Sequence, residues 1–439
     1  MKPSKPTAVP PRVVILGAGF GGLRAAQTLE KEPVDVLLVE RNNYHAFLPL
    51  LYQVAAAELH PQDIAYPLRT LFARCPNVRV AFGHATRIDF EARTLEIDGR
   101  SERFDYLVLA MGSRTHHFGV PGAEHHGFGL KTLEEALALR NHVLVRFERA
   151  LQLTDDGARR AALTFVIVGG GATGVEYAGA LAELFRGPVA RDFPALAEHE
   201  SARGSPARIV LIEATERLLA GLPARLSTYT LERLQRMGVE VRLSAPVSAV
   251  RADGVELAGG EFLPAETVVW TAGVRGDLSA LGPELAERGG RVLVRDTLQT
   301  LAFPAVYAVG DLARIDGSDP PLPQVAPVAI QQGETAARNI LRAARGEPPL
   351  PFRYRDQGTM VAIGRNHAVA RVFGRSFDGF PAWILWSLVH IAKLVGVRNR
   401  LFVLASWAWS YLFFERIARL IVPRPREQDS DAAGRAGSE

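Results

Sequence analysis

Two glycine runs of the form GxGxxG stand 152 residues apart, Gly17-Ala18-Gly19-Phe20-Gly21-Gly22 and Gly169-Gly170-Gly171-Ala172-Thr173-Gly174. Each follows a short apolar run, residues 13–16 and 165–168, and each precedes an Ala-rich stretch of helical composition. In a strand-turn-helix setting the first glycine makes a tight turn, the second lets the main chain approach a pyrophosphate, and the third lets the helix pack on the strand. The phosphates then rest on a helix N-terminus. One such run is a weak signal. Two, each followed by a strand that ends in an acid, point to two dinucleotides and to chemistry that passes electrons between them.

The acids complete the pattern. Residues 34–39 read as a buried strand ending at Glu40, 18 residues past Gly22 and close to the usual offset of about 20. Glu40 can accept a ribose hydroxyl. Residues 208–212 form the equivalent strand, but Glu213 lies 39 residues past Gly174, so an insertion intervenes. Its Gly, Pro, Asp, Glu and Ser content over residues 186–207 predicts a loop or loose hairpin. Glu213 predicts acceptance of the 2′-hydroxyl of NADH and repulsion of the 2′-phosphate of NADPH, a preference that Arg217 tempers without reversing.

Other elements must hold these groups in place. Strands and helices alternate through the middle of the chain, which predicts α/β layers on parallel sheets. The first unit closes on the apolar strand 106–110 followed by Met111-Gly112-Ser113. The second closes on the matching phrase Thr267-Val268-Val269-Trp270-Thr271-Ala272-Gly273. A late strand, 305–309, runs into Gly310-Asp311, as it would if the first unit resumed after an inserted second one. The expected fold is therefore α/β, with two Rossmann-like dinucleotide-binding domains, the second inserted in the first, and a C-terminal amphipathic helical region that anchors to a membrane. The expected division is 12–115 and 291–375 for the first domain, 116–290 for the inserted one, 376–426 for the membrane-associating region and 427–439 for a disordered tail.

Composition agrees with a folded chain of two or three domains: 439 residues, 48% hydrophobic and 22% charged, enough to bury sizeable cores. A single cysteine, Cys75, excludes a disulfide framework or a Cys-rich metal or iron–sulfur site and reads as a bystander. The Pro-rich residues 1–12 lack the apolar core of a secretory signal and read as a frayed tail.

Taken together, these residues resemble the two-dinucleotide flavoprotein reductases, and within them the type II NADH dehydrogenases, single-subunit NADH:quinone oxidoreductases that pump no protons. The phrases that carry the resemblance are Asn43-Tyr44-His45, Pro49-Leu50-Leu51-Tyr52-Gln53-Val54-Ala55, Trp270-Thr271-Ala272-Gly273-Val274, Tyr307-Ala308-Val309-Gly310-Asp311 and Val325-Ala326-Pro327-Val328-Ala329-Ile330-Gln331-Gln332-Gly333. It covers residues 13–423. By that resemblance FAD is held by Gly17, Gly19, Gly22, Glu40, Gly112, Gly310, Asp311 and Ala329, and NADH by Gly171, Gly174, Glu213 and Gly273. Glu176 matches a family acid near flavin and nicotinamide, and its plain alternative is a first-turn helix acid. Gln331 matches the second Gln of a quinone-site motif of AQxAxQ type. Pro327 replaces the first Gln, whose role therefore has no counterpart here. Related disulfide reductases place a cysteine pair soon after the ribose acid, and residues 46–57 contain none. The resemblance thus implies that electrons leave directly for an external acceptor, a membrane quinone.

The C-terminus fits that acceptor. Residues 382–396 are apolar except for Ser387, His390 and Lys393, whose spacing predicts a narrow polar stripe on an amphipathic helix. Residues 401–414 run 14 positions without charge and include Trp407, Trp409 and Tyr411. A span needs about 20 apolar residues, whereas short apolar helices with Trp, Tyr and flanking Arg suit the interface plane. Between residues 381 and 426 seven basic residues (Lys393, Arg398, Arg400, Arg416, Arg419, Arg424, Arg426) face one acid, Glu415, and would draw anionic headgroups. A peripheral protein on the cytoplasmic face of the inner membrane is the expected location. The same apolar faces could instead make a helical hairpin or a homodimer interface.

His45, His116, His117, His125 and His126 have no metal-site spacing and read as solvated loop histidines; no metal is expected. The basicity, with a pI of 9.3, gathers beside the apolar tail without any nucleic-acid-binding module. Two other classes share both glycine runs: a soluble flavoprotein reductase with a protein acceptor, and a redox-responsive FAD- and NADH-binding protein. The first would not need the amphipathic tail, and the second would bind both nucleotides but turn over slowly.

Overall fold

The computed structural model describes residues 9–199, 205–278, 280–413, 416 and 418–421. Along the chain Arg12–Leu16 (β1), Phe20–Leu29 (α1), Asp35–Glu40 (β2), Leu51–Ala55 (α2), Val78–Phe82 (β3) and Tyr106–Leu109 (β4) begin a first unit. Gly127–Phe128 (β5), Leu133–Ala150 (α3), Thr164–Val168 (β6), Ala172–Leu184 (α4), Arg208–Ile212 (β7), Val239–Arg242 (β8) and Thr267–Trp270 (β9) follow. Val306–Ala308 (β10) and Ala326–Ala344 (α5) come next. Thr359–Ala362 (β11), Ala368–Val372 (β12), Arg375–Asp378 (β13), Gly379–Lys393 (α6) and Val397–Phe413 (α7) complete the chain.

Two five-stranded sheets result, ordered β10-β4-β1-β2-β3 and β5-β9-β6-β7-β8, and every pairing in them is parallel. Their central strands are Val/Ile/Leu-rich and buried on both faces, as parallel strands under helices must be. The two sheets repeat one plan. Gly17 N donates to Val39 O and Gly169 N to Ile212 O, both at 2.8 Å. β10 joins the first sheet only after the whole second sheet has been built, and residues 113–115 and 274–276 pair antiparallel where the chain leaves and returns. Helix α1 lies on α5 at a crossing without side chains: a Cβ on Gly333 would fall 2.1 Å from Gly21 O.

The antiparallel strands β11-β12-β13 carry the chain to α6. Trp386 of α6 and Val403 of α7 enter the core that surrounds α2, α3 and α4. Among the described residues no helix is long and apolar enough to cross a membrane.

Three expectations need correction. Residues 186–199 are mostly helical, a π-turn at Phe185–Val189 followed by Ala190–Asp192 and Pro194–His199. Phe185, Val189 and Leu196 keep an apolar face inside despite the polar composition. Of the stripe of Ser387, His390 and Lys393 only Lys393 is exposed; Ser387 and His390 are half-buried, and His390 stacks on Trp386 at 4.3 Å. The exposed side is apolar instead, with Leu388 65% and, on α7, Leu412 68% exposed. His45 is buried rather than solvated. The proposed tail at 427–439 lies outside the described residues.

Candidate active site

The glycines of each run separate by geometry. Gly17 has φ +97°, and a Cβ there would sit 2.5 Å from Ala110 O; a Cβ on Gly22 would sit 1.8 Å from Gly17 O. Gly19, the residue before α1, has no protein atom within 4 Å of that position. The second run repeats this. Gly169 has φ +114° and would meet Ala272 Cα at 2.6 Å, Gly174 would meet Gly169 O at 2.0 Å, and Gly171 faces open space. In each run two glycines close strand on helix, and the middle one offers bare main chain to a ligand.

The acids repeat too. Glu40 accepts from Ala18 N at 2.6 Å and Asn42 N at 3.1 Å. Glu213 accepts from Gly170 N at 2.7 Å, and from Thr215 N and its hydroxyl, both at 2.8 Å. Each carboxylate is therefore fixed at the mouth of its own glycine turn. The guanidinium of Arg217 donates to Ala220 O at 2.8 Å.

A cavity of about 1090 Å³ starts at Gly17, Gly19 and Glu40, passes Gly112 and Asp311, and ends between α4 and α6 at Thr173, Glu176, Leu385, Val389 and His390. That size suits a dinucleotide. Asp311 accepts from the Ser113 hydroxyl at 2.5 Å and from Lys131 Nζ at 3.0 Å. Gly310, at φ +73°, donates its N–H to Gln332 Oε1 at 2.7 Å, and Ala329 stands against it. His45 Nδ1 pairs with Ala18 O at 2.8 Å and so braces the first turn, while burial lowers its pKa. A glycine cradle, a ribose-side acid and an anchored aspartate fit FAD.

Glu176 lies in the second turn of α4, not the first, and is 9% exposed. Burial pushes its carboxyl up to about 8, against the opposing pull of the Ala362 N–H at 3.2 Å and the Trp386 side chain. It therefore carries a proton at neutral pH. Burial pushes His390 down to about 4, so this ring is neutral. Lys393 Nζ donates to Gln357 Oε1 at 2.7 Å.

Of the residues read from the sequence, Gly17, Gly19, Glu40, Gly112, Gly310, Asp311, Ala329 and Glu176 share the wall of this cavity, and Gly22 backs the turn. Gly171, Gly174 and Glu213 gather at the second turn, which reaches the cavity through Ala172, Thr173 and Glu176. Gly273 faces the Phe118 ring. Gln331 departs from expectation: its amide donates to Arg355 O at 3.0 Å and accepts from Arg355 N at 2.9 Å, outside the cavity wall. It holds the 355–359 segment, which lines the cavity, in place of facing an acceptor. His45, Ser113, Lys131 and Gln332 were not singled out individually as site residues, since their partners lie on other elements.

Residues 11–333 match the family Pyridine nucleotide-disulphide oxidoreductase. The type II NADH:quinone oxidoreductase Ndh of Mycobacterium tuberculosis is 36% identical over 433 residues, covering 94% of this chain and 91% of that protein. The type II NADH:quinone oxidoreductase of Staphylococcus aureus is 30% identical over 402 residues, 88% of this chain and 96% of that one. The structure of NDH2 from Plasmodium falciparum in complex with RYL-552 superposes with a TM-score of 0.84 at 17% identity, covering 94% of this chain and 100% of that one.

Proposed function

The chain belongs to the type II NADH:quinone oxidoreductases of the pyridine nucleotide-disulphide oxidoreductase family, and from that premise we propose how its residues divide the work. The enzyme uses FAD and NADH and transfers electrons from NADH to a quinone. FAD, when bound, supplies the two-electron redox chemistry that joins the two substrates. Its proposed holders are Gly17, Gly19, Gly22, Glu40, Gly112, Gly310, Asp311 and Ala329, with Glu40 on a ribose hydroxyl and Asp311 kept in place by Ser113 and Lys131. NADH binds over Gly171, Gly174, Glu213 and Gly273. Glu176 holds a proton beside the site where the two substrates exchange electrons. Gln331 acts by holding Arg355.

The observation that carries this reading is the continuity of one cavity from the first glycine turn to Glu176 and α6. Quinone enters along α6, past Leu385 and Val389. The exposed apolar residues of α6 and α7, among them Leu388, Leu401, Phe402 and Leu412, rest in the interface of the inner membrane on its cytoplasmic face. A second copy of the chain is the competing occupant of that surface. The holoenzyme should be yellow, release FAD on acid treatment, and be bleached by NADH and recoloured by a soluble quinone. Release of FMN, or bleaching that quinone fails to reverse, would contradict the reading.

A further inference from the structure

A second, smaller cavity of about 80 Å³ lies on the other side of Glu176, walled by Tyr52, Glu58, Glu183, Arg365, Trp386 and Ser410 among others. Its lining mixes carboxylates, a guanidinium and hydroxyls, and its volume admits several waters. The indole of Trp386, a residue 2% exposed, shares this wall and acts on the Glu176 carboxyl, and among the described residues its N–H meets no acceptor at hydrogen-bonding distance. Glu176 is thus the one carboxylate common to this chamber and the large cavity.

The reaction requires a supply of protons. NADH gives up two electrons and one proton as hydride, whereas the quinone takes two electrons and two protons. One proton per turnover must therefore come from the medium. The side chains of Glu183 and Glu58 keep 26% and 18% of their surface in solvent, whereas Glu176 is buried.

Glu183 has both oxygens committed, Oε1 to Arg365 N and Oε2 to Arg416 at 3.3 Å. Among the described residues Glu58 commits Oε1 alone, to Arg416 at 2.8 Å. Arg416 is itself fixed by Ala56 O at 2.8 Å and Ala180 O at 2.9 Å, so Glu58 is held in place with one oxygen to spare. Tyr52 feels both Glu58 and Glu176.

We propose that Glu58 is a proton-relay residue, which takes the proton from the medium and passes it through the water of the small chamber to Glu176. The inference rests on the assignment of Glu176 above. Burial pushes Glu58 up to about 7, with Arg416 and Arg365 opposing and Glu183 reinforcing, which suits repeated uptake and release near neutral pH. Tyr52, Tyr411 and Glu176 are the other titratable groups facing the chamber.

The test uses flavin-loaded enzyme in stopped flow, first reduced by NADH and then reoxidised by a soluble short-chain quinone, from about pH 5.5 to about pH 9. Glu58→Gln should slow reoxidation at least about tenfold at neutral and higher pH while leaving reduction by NADH unchanged, and Glu58→Asp should restore most of the rate. Ser410→Leu, which fills the chamber without replacing a carboxylate, should slow reoxidation in the same way. Independently of activity, the infrared carbonyl band of a carboxylic acid that titrates near neutral pH should disappear in Glu58→Gln. Wild-type reoxidation and pH profile in both Glu58→Gln and Ser410→Leu would overturn the proposal, as would equal slowing of both half-reactions. A wild-type enzyme that quinone cannot reoxidise would reject the quinone reading itself instead.

Discussion

The carboxylate of Glu213 accepts the backbone N–H of Gly170 at 2.7 Å, so the acid that ends β7 is fastened to the glycine turn that ends β6. A 2′-phosphate arriving at that turn would meet a fixed negative charge. Arg217, tied to Ala220 O, offers little compensation. NADH should therefore exceed NADPH by at least about tenfold in kcat/KM, worth about 1.4 kcal/mol, and Glu213→Gln should narrow the gap by improving use of NADPH. Equal use of both donors by the wild type would remove Glu213 from the nucleotide site. Steady-state kinetics with the two donors decides it.

The glycines predict a contrast between neighbours. Gly171→Ala places a methyl in open space, so the variant should fold and keep its flavin while its KM for NADH rises about tenfold or more. Gly174→Ala drives a methyl to 2.0 Å from Gly169 O and should cost at least about 2 kcal/mol of stability. Flavin content, Tm and NADH kinetics measured on both variants separate a ligand-facing glycine from a packing glycine. Identical behaviour of the two would count against the assignment.

Glu176 makes a pH-dependent prediction whose sign follows from its raised value. Unfolded, the carboxyl releases its proton near 4.5; folded, it holds it to about 8. Between these values the folded state binds the extra proton, so its stability falls as pH rises, and above pH 8 the full burial penalty applies. Glu176→Gln escapes that loss. The Tm of the variant minus that of the wild type should therefore increase between about pH 5 and about pH 8, by at least about 2 °C, then level off. A difference that stays flat with pH would place Glu176 in a solvated setting.

The outward face of α6 and α7 predicts attachment without spanning. Leu388→Glu combined with Leu412→Glu puts charge on two of its most exposed apolar positions and should reduce cosedimentation with anionic liposomes at least about tenfold. Turnover with a soluble quinone should persist, because neither side chain lines the cavity. Unchanged liposome binding together with a halved particle mass would make this face a dimer interface.

Much of this site was legible in the sequence because it is built from local units. A glycine turn, its strand and the acid of the next strand lie within tens of residues, and both copies, ending at Glu40 and Glu213, stand where spacing placed them. Long-range partners gave no such signal. His45 looked like a loop histidine, but it braces Ala18 O, and the contact depends on how residues 44–46 fold back over the turn. Gln331 and Gln332 are adjacent, and helical rotation alone turns the first toward Arg355 and the second toward Gly310. The spacing of Ser387, His390 and Lys393 revealed a distinct face of α6, but not that His390 and Lys393 on it line the cavity. Periodicity does not tell a polar stripe on water from one lining a cavity.

One pair of rates measured on a single variant tests the quinone route along α6 most directly. Val389 projects from α6 into the end of the cavity assigned to quinone, far along the chain from both glycine turns. With Val389→Trp, stopped-flow bleaching of the flavin by NADH should proceed at the wild-type rate, while recolouring by quinone should slow at least about tenfold. Recolouring at the wild-type rate, or an equal slowing of bleaching, would contradict a quinone route along α6.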